Sequence, residues 1–429
     1  MMSQFVRFLG DNFIKQLEKP KSSLGYRYPA LRDHPLRTPE IWMRGKRTDD
    51  GAEGLWRLYD DLYDFTEFIR DHPGGSDWLE LTKGTDITEA FEAHHISTNP
   101  EKLLHTYFVR KAKTPRNSPF TFEENGFYKT LKRRVRKELE NVPKHPERRS
   151  KILADILFFT FILTSLIAVR EQSYITVFIS GLFLTMACIA AHNFFHQRDN
   201  FRMYYFDFTM MSSRSWRISH ALSHHLYTNT VYDLEISSLE PFLQYLPTKK
   251  NFLVRYVSWL YSPIFYAFIY IAHYVKTIIQ SLTEKIPLRW ENTIPLFHLL
   301  FLYQCGGRSL STTIFFYIFI EVVSSIFFGF IGLTAAHHHP DLFHDGDEAR
   351  TYPKIDWGLH QMDSVMDKLE VTDHGILNYL HPVLEEVCKE FNIKIKMTSQ
   401  LNLAFGQFQQ LAKIKPTKFH EKRSHNKED

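Results

Sequence analysis

The sequence predicts a small α+β domain at the N-terminus, followed by an all-α membrane domain with about four spanning helices. The mean hydropathy of -0.28 averages two unlike parts. Residues 1–150 are polar and charged, whereas the apolar residues concentrate between 152 and 336. The 22 histidines are clustered rather than scattered, and clustered histidine is typical of metal binding or proton transfer.

Composition excludes three other classes of protein. Lys plus Arg (52) and Asp plus Glu (48) nearly cancel, giving a net charge of +4. That balance argues against a dedicated nucleic-acid binder, so no nucleic acid is expected as a partner. An aromatic content of 15% argues against a disordered chain. Three cysteines exclude a disulfide scaffold and fit a reducing compartment.

Long apolar runs predict the membrane helices. The four runs are, in chain order, Ile152–Val169, Tyr174–Phe195, Phe252–Ile279 and Thr312–Ala336. Each approaches or exceeds the roughly 20 residues that cross a bilayer, and the short link Arg170–Ser173 makes the first two a hairpin. A shorter run, Ile294–Tyr303, is interpreted as interfacial. The alternative, a soluble helical enzyme with buried helices, is disfavoured by the length of the first two runs.

Basic segments concentrate on one side of the predicted spans, mainly at 132–137, 144–151, the loop after the second span and the tail after 390. Because positively charged flanks stay in the cytosol, both termini are predicted to be cytosolic in a multi-pass protein. The predicted divisions are an N-terminal segment (1–34), a soluble domain (35–112), a basic linker (113–150), a membrane domain (151–395) and a basic tail (396–429).

The soluble domain carries one histidine at a loop tip and two after a helix. His72-Pro-Gly-Gly has the chemistry of a turn that projects the imidazole. Asp86 and Glu89 have the spacing of a capping box for a helix that ends near His94 and His95. Two imidazoles that face each other across an apolar cleft can occupy both axial positions of a haem iron. Such a haem transfers electrons, because no coordination position is open to a substrate.

The segments YDFTEFIRDHPGG and GTDITEAFEAHHIST resemble the haem-binding stretch of the cytochrome b5 family. The resemblance implies an α+β cytochrome b5-like domain that binds haem b, with His72 as one axial ligand. The usual spacing of that family would place the second ligand at Ile96, so the loop here is shifted by one or two residues. His95 is predicted as the second ligand, with His94 as the alternative.

Three histidine boxes lie at or near the ends of predicted spans: His192-xxx-His196, His220-xxx-His224-His225 and His337-His338-His339. In the first two, histidines at i and i+4 share a helix face on which a metal ion can bridge them, whereas His225 is expected about 100° around the helix. One HxxxH alone is weak evidence, because interfacial histidines are common. Three boxes on the predicted cytosolic side can converge, and imidazoles in two groups suit a two-metal site.

The boxes resemble those of the membrane fatty-acid desaturase and hydroxylase superfamily, which uses a di-iron centre and molecular oxygen and in some members carries a fused cytochrome b5 as electron donor. Other segments are similar to the insect family of cytochrome b5-related proteins: YRYPALRDHPLRTPE, GKRTDDGAEGLWR, HHHPDLFHDGDE and DWGLHQMDSV. The resemblance implies a polytopic domain of the fatty-acid desaturase type in the endoplasmic reticulum membrane, with a fatty-acyl lipid as substrate. It also implies two non-haem Fe ions with ligands at His192, His196, His220, His224, His225 and His337. A separate cytochrome b5 reductase is the expected electron donor, because no GxGxxG follows a strand.

One departure from the superfamily pattern affects the metal prediction. The third box, HxxHH or QxxHH beyond the last span, is missing, because DSVMDK runs directly into LEVTDHGILNYL. The six predicted ligands are fewer than two fully ligated irons require. His338, Asp373 or His374 could fill gaps, although no spacing supports them.

Three functions therefore remain open from the sequence. The first is an oxygen-dependent fatty-acyl desaturase or hydroxylase that receives electrons from its own haem. The second is a non-enzymatic membrane haem or electron-transfer protein whose desaturase domain is inactive without the third box. The third, a zinc membrane hydrolase, would leave the haem domain unexplained.

Overall fold

The computed structural model describes residues 19–333, 337–348, 354–369 and 376–418. Several predicted features lie outside the described residues: most of the N-terminal segment (1–18), Thr334–Ala336 at the end of the fourth predicted span, Asp373, His374 and the end of the tail.

The N-terminal domain combines a small sheet with short helices. Helix α1 (Pro39–Asp49) precedes an antiparallel sheet with the order β1 (Trp56–Leu58), β2 (Asp61–Tyr63) and β3 (Phe108–Lys111). Between β2 and β3 lie α2 (Ser76–Thr82), α3 (Thr88–His94) and α4 (Asn99–Tyr107). Strands this short are not stable alone. The buried side chains of Trp56, Phe65 and Phe91 join the sheet to the helices and supply the missing stability.

The basic linker packs against this domain. Strand β4 (Phe120–Thr121) pairs in parallel with β5 (Ile355–Asp356), and helix α5 (Phe127–Leu139) follows β4. From α5, Nζ of Lys129 and Nζ of Lys132 lie 2.7 Å and 2.8 Å from the carboxylate of Glu92 in α3. The Glu92 side chain is only 2% exposed. The basic residues of the linker therefore compensate a buried acid instead of remaining in solvent.

Four helices of the described chain are long and apolar enough to cross a membrane: His145–Glu171, Tyr174–His196, Leu253–Glu284 and Leu310–Gly332. The predicted hairpin is present, because α6 (His145–Glu171) ends just before α7 (Tyr174–His192) begins. The hydroxyl of Ser173 accepts a hydrogen bond from the backbone N–H of Thr176 and caps α7.

The rest of the membrane domain mixes long and short helices. In chain order they are α8 (Ser213–Trp216), a π-helical segment (Arg217–His224), α9 (Leu234–Ser238), α10 (Ser258–Glu284), α11 (Ile294–Gly306) and α12 (Leu310–Phe328). Short 3₁₀ turns cover Asn193–His196, Phe201–Thr209 and Trp290–Thr293, and π-helical turns cover Leu253–Val257 and Gly329–Leu333. The helices share a core that includes Phe161, Phe195 and Tyr270.

Helix α10 begins and ends on the same side of the molecule. At its end, Glu284 accepts a hydrogen bond from Arg44 of α1 at 2.9 Å. Just before its start, Arg255 donates to the carbonyl of Ala412 near the C-terminus. Both partners belong to parts that surround the histidine boxes, and a straight helix of this length cannot return to its own side after crossing. Its length and composition suit a span, while both of its ends contact the part of the molecule that carries the histidine boxes.

Helix α11 reaches the opposite side, although its apolar run was expected to be interfacial. Before it, Arg289 lies 3.9 Å from Asp77 of the N-terminal domain. After it, Arg308 donates to the carbonyl of Arg170 in the α6–α7 hairpin at 2.8 Å. The four helices that are long and apolar enough to span a membrane coincide with the four predicted runs, the third being Leu253–Glu284. The end contacts of α11 show that this shorter helix also runs from the side of the N-terminal domain to the α6–α7 hairpin.

The C-terminal residues complete the side that carries the histidine boxes. They form α13 (Trp357–Ser364), α14 (Leu377–Glu390) and α15 (Gln400–Ala412), and β6 (Asp367–Lys368) pairs in parallel with β7 (Met397–Thr398). A second core joins these parts to the N-terminal segment through residues such as Tyr26, Phe120 and Tyr227. The soluble and membrane domains thus form one packed body.

Candidate functional site

A cavity of about 530 Å³ lies in the N-terminal domain between α2, α3 and α4. Phe65, Phe91 and Leu104 are among its apolar lining residues. His72 and His95 enter it from the loop before α2 and from the end of α3. An apolar cleft with two facing imidazoles is the arrangement that the sequence predicts for haem.

The two imidazoles have the spacing of a pair of axial ligands. Their ring centroids are 6.2 Å apart, and two imidazoles on opposite sides of one ion, each bound at about 2 Å, place their centroids about 6 Å apart. Nδ1 of His72 lies 2.9 Å from the carbonyl of Gly75, and Nδ1 of His95 lies 3.0 Å from the carbonyl of Phe91. Each Nδ1 therefore carries the hydrogen and donates it, which leaves Nε2 available to iron. The residues fit a haem.

His94 has a different environment from His95. Its ring packs on Trp78 with centroids 5.6 Å apart, and its Nδ1 lies 2.9 Å from the carbonyl of Ala90. Burial lowers the pKa of both His94 and His95, so the protonation state does not separate them, whereas the ring of His95 faces His72 across the cavity. The geometry favours the predicted choice of His95, and the assignment stays a prediction.

The two glycines after His72 are needed for two different reasons. A Cβ on Gly74 would lie 2.8 Å from Cε1 of the His72 ring. Gly75 has φ +114, and a Cβ there would overlap the carboxylate of Asp199. The first glycine therefore leaves room for the ligand, whereas the second leaves room for the membrane domain. The sequence alone did not indicate the second role, because Asp199 is distant along the chain.

The membrane domain forms part of the wall of the haem cavity. The residues it contributes are His196, Gln197, Arg198 and Leu222. His196 is also a member of the first histidine box. The cavity predicted to hold haem is thus adjacent to the predicted metal site.

Four box histidines converge at that site. One ligand nitrogen from each of His192, His196, His220 and His225 lies within 4.8 Å of the other three. The Nε2 atoms of His192 and His220 are 2.6 Å apart, and those of His220 and His225 are 2.9 Å apart. A metal–imidazole bond is about 2 Å long, so the closest of these nitrogens can share one ion, and the group as a whole could hold a metal. Imidazole ligands suit iron, zinc or copper.

The π-helical segment Arg217–His224 changes which histidines of the second box meet. The backbone N–H of His225 donates to the carbonyl of His220 at 2.9 Å, the i to i+5 bond of a wider turn. His225 therefore shares a face with His220, at a ring-centroid distance of 4.3 Å. His224, which was expected on that face, stacks on His220 with ring centroids 5.7 Å apart. Its Nδ1 lies 2.8 Å from Asp233.

His224 and His337 form a neighbouring pair, with ring centroids 4.6 Å apart. Burial disfavours the charged form of His224, but the carboxylates of Asp233 and Glu235 raise its pKa to about 9. Glu235 also accepts from Nδ1 of His220 at 2.7 Å. The six predicted ligands thus lie as one cluster of four and a neighbouring pair, and the di-iron assignment stays a prediction.

The carboxylates of Asp233 and Glu235 were not predicted from the sequence. Each lies beside a box histidine and fixes which ring nitrogen carries the hydrogen, as acids commonly do around metal-binding imidazoles. Their sequence signal is YDLEIS, a short acidic segment directly after the second box.

Other histidines near the boxes point elsewhere within the described chain. His338 stacks on Tyr245 with a centroid distance of 3.8 Å, and its buried Nδ1 makes no hydrogen bond within the described residues. Nε2 of His360 lies 2.9 Å from the carbonyl of Thr228. These contacts supply no substitute for the third box in the part of the chain that the structure describes.

Protein-family models divide the chain into the same two parts. Residues 45–113 match the Cytochrome b5-like Heme/Steroid binding domain, and residues 172–384 match the Fatty acid desaturase family. The predicted fold class is confirmed, because an α+β cytochrome b5 domain precedes a helical desaturase domain. The class of protein is therefore a cytochrome b5–fatty acid desaturase fusion with helices of membrane-spanning length.

The cytochrome b5-related protein of Drosophila melanogaster is 40% identical over 425 residues, covering 93% of this chain and 97% of that protein. The chain belongs to the cytochrome b5-related protein family, as its resemblance indicated. The protein of the same name from Drosophila virilis is 52% identical over 136 residues, which cover 32% of this chain and 95% of that protein. Probable Delta(5) fatty acid desaturase C of Dictyostelium discoideum is 23% identical, with 85% of this chain and 92% of that protein covered. No solved structure matches the chain.

Proposed function

We propose that the protein passes electrons from haem b to iron held by the box histidines and oxidises a fatty-acyl lipid as an oxygen-dependent desaturase or hydroxylase. The observation that carries this proposal is the position of His196. This residue lines the haem cavity and also belongs to the four-histidine cluster. A donor and an acceptor that share a wall need no separate docking step.

The residues divide the work between two centres. His72 and His95 hold the haem, whose closed coordination restricts it to electron transfer. Non-haem iron is held by four box histidines, His192, His196, His220 and His225. A second iron takes ligands from His224 and His337. When bound, this iron would supply the oxygen chemistry, which side chains cannot perform. Asp233 and Glu235 each accept from an Nδ1, of His224 and His220 respectively, and so orient these two rings.

The proposed location is the endoplasmic reticulum membrane, with both termini in the cytosol. The support is the distribution of basic segments and the contacts of the described residues. Arg170 and Arg308 meet at one end of the helices, whereas both domains' histidine sites lie at the other. A cytochrome b5 reductase would then reach the haem domain from the cytosol and supply its electrons.

The first test is the ratio of total iron to haem in detergent-purified full-length protein. The proposal predicts more than one iron per haem, and a His220→Ala variant should lose the non-haem part while it keeps the haem absorbance. One iron per haem in the unmodified protein would contradict the proposal. Zinc in place of iron would instead favour the hydrolase alternative.

A second function is favoured by one observation. The sequence carries no HxxHH or QxxHH after the last span, and among the described residues Nε2 of His360 is hydrogen-bonded to the carbonyl of Thr228. On that basis the protein would be a membrane electron carrier with an inactive desaturase domain. The iron-to-haem ratio separates the two functions, since this alternative predicts one iron per haem.

A further inference from the structure

We propose that Arg217 is a positioning residue that holds the haem domain against the metal-site helix and places a positive charge between the two centres. The inference rests on the proposed function, because it concerns the path from haem to the histidine cluster. The contacts that carry it involve Arg217, Asp199 and Trp78, and are called the Arg217 contact below.

The Arg217 contact joins segments that carry ligands of both centres. Arg217 begins the π-helical segment that contains His220, and Asp199 follows His196 by three residues. The backbone N–H of Asp199 donates to the carbonyl of Gly74, beside the ligand His72, at 3.1 Å. Both centres are therefore tied to this contact through very short stretches of chain.

The guanidinium of Arg217 is completely buried at this contact, with 0% of its side chain exposed. It lies 4.6 Å above the ring of Trp78, which lines the haem cavity. Its Nη1 is 2.7 Å from Oδ1 of Asp199. None of its three nitrogens makes an aligned hydrogen bond within the described residues. Burying a cation with so few hydrogen bonds lowers the stability of the folded protein. A functional role for its charge or position accounts for its presence at this site.

The two charges differ in burial, and this difference determines their effect. Asp199 has 48% of its side chain exposed, so water screens its negative charge, whereas Arg217 is shielded from water. The net contribution of this pair to the field at the haem cavity is therefore positive. A positive charge stabilises the haem that has gained an electron, and Arg217 thus favours the reduced form.

A structural role and an electrostatic role predict different results for paired variants. Arg217→Gln removes the positive charge and should shift the haem equilibrium towards the oxidised form by about tenfold, equal to about 59 mV for one electron. Asp199→Asn removes the negative charge and should shift it in the opposite direction by a smaller factor. Arg217→Lys keeps the charge and should stay within about twofold of the unmodified protein.

The experiment is a dye-equilibrated reductive titration of full-length protein in detergent, followed by haem absorbance. The matched control is Arg202→Gln, because Arg202 pairs with Asp155 inside the membrane domain at 2.6 Å, and no shift is expected. Opposite shifts for Arg217→Gln and Asp199→Asn support the proposal. Unchanged equilibria, or shifts of both variants in one direction, overturn it. A variant is scored only when its low-spin haem spectrum matches that of the unmodified protein.

A second measurement concerns the path itself. The haem is reduced without oxygen, the protein is then mixed with oxygenated buffer, and the rate of haem reoxidation is recorded. Arg217→Gln should slow this rate at least fivefold relative to Arg202→Gln, because the haem domain loses its fixed position. An unchanged rate overturns the positioning role. The titration needs neither non-haem iron nor substrate, so failure of the proposed function would leave its result readable.

Discussion

At the haem cavity, each candidate ligand is oriented by one backbone carbonyl, Gly75 for His72 and Phe91 for His95. These bonds select the tautomer that leaves Nε2 free. The carbonyl that orients His95 belongs to its own helix, one turn earlier. The shift of the second ligand from the usual cytochrome b5 spacing is thus accommodated without loss of the facing geometry.

Single substitutions at the three haem-domain histidines should have different effects. His72→Ala and His95→Ala should each abolish the low-spin haem spectrum, because one axial position would be lost. His94→Ala should preserve it, since that ring packs on Trp78. Absorbance spectra of the purified variants check the assignment. A normal spectrum for His95→Ala together with a lost one for His94→Ala would exchange the two roles.

At the metal site, the sequence predicted which residue types would be present, but it did not predict which histidines would share a helix face. The boxes identified His192, His196 and His220 correctly as neighbours, because i and i+4 spacing at a helix end leaves few alternatives. The π-helical turn brings His225 closer to His220 than His224 is, with ring centroids 4.3 Å and 5.7 Å away. Its wider hydrogen bond depends on packing that no local spacing encodes. The orienting acids Asp233 and Glu235 became visible only once the chain was folded.

At the scale of elements, the start of α3 shows how distant contacts replace a local motif. Asp86 and Glu89 have capping-box spacing, and Asp86 does accept from the N–H of Thr88. Glu89, however, is fully buried and pairs with Arg116 at 2.7 Å. The linker thus supplies the cations that pair with the buried acids of α3. From the sequence, this linker could be recognised only as a basic segment.

The buried pairing of Glu92 gives a stability prediction. Glu92→Gln should destabilise the protein by about 3–5 kcal/mol, because Lys129 and Lys132 would lose their shared buried partner. The control is Glu147→Gln. The Glu147 side chain, which pairs with Lys151, is 47% exposed, so its loss should lower the free energy of unfolding by less than about 1 kcal/mol. Thermal unfolding followed by haem absorbance measures both. Equal losses for the two variants would contradict the buried pairing.

Helices α10 and α11 show what hydropathy does not determine. Both segments are apolar, and length alone favoured the longer one as the span. Their placement depends instead on end contacts, such as Arg44 with Glu284 and Arg308 with Arg170. Such contacts join residues far apart in the chain, so they cannot be predicted from periodicity or composition.

The placement of these helices can be tested with thiol labelling in sealed microsomes. Cys305 is exposed at the end of α11, whereas Cys188 and Cys388 are buried. A membrane-impermeant maleimide added outside should label Lys285→Cys, at the end of α10, but should label Cys305 only after detergent is added. Equal accessibility of both positions in sealed vesicles would mean that α10 crosses the membrane.

At the scale of the molecule, two domains were predictable and their shared surface was not. The HPGG motif and the histidine boxes each resemble known families locally, so each centre could be inferred independently. The wall that joins them contains His196 and Leu222, and neither residue carries a local signal for contact with haem. Domain placement is decided by the core around Tyr26, Phe120 and Tyr227, which draws on widely separated segments.

The linker packs over the buried Glu89 and Glu92 and so fixes the haem domain to the rest of the chain. This attachment determines how turnover depends on protein concentration. In the proposed function, a donor fixed on its acceptor delivers electrons at a rate independent of protein concentration, because no encounter is needed. Turnover per molecule should therefore survive dilution. Added free cytochrome b5 should neither accelerate nor rescue the protein, since the place that it would occupy is already filled. The stoichiometry of donor and acceptor is set at one to one by the gene itself.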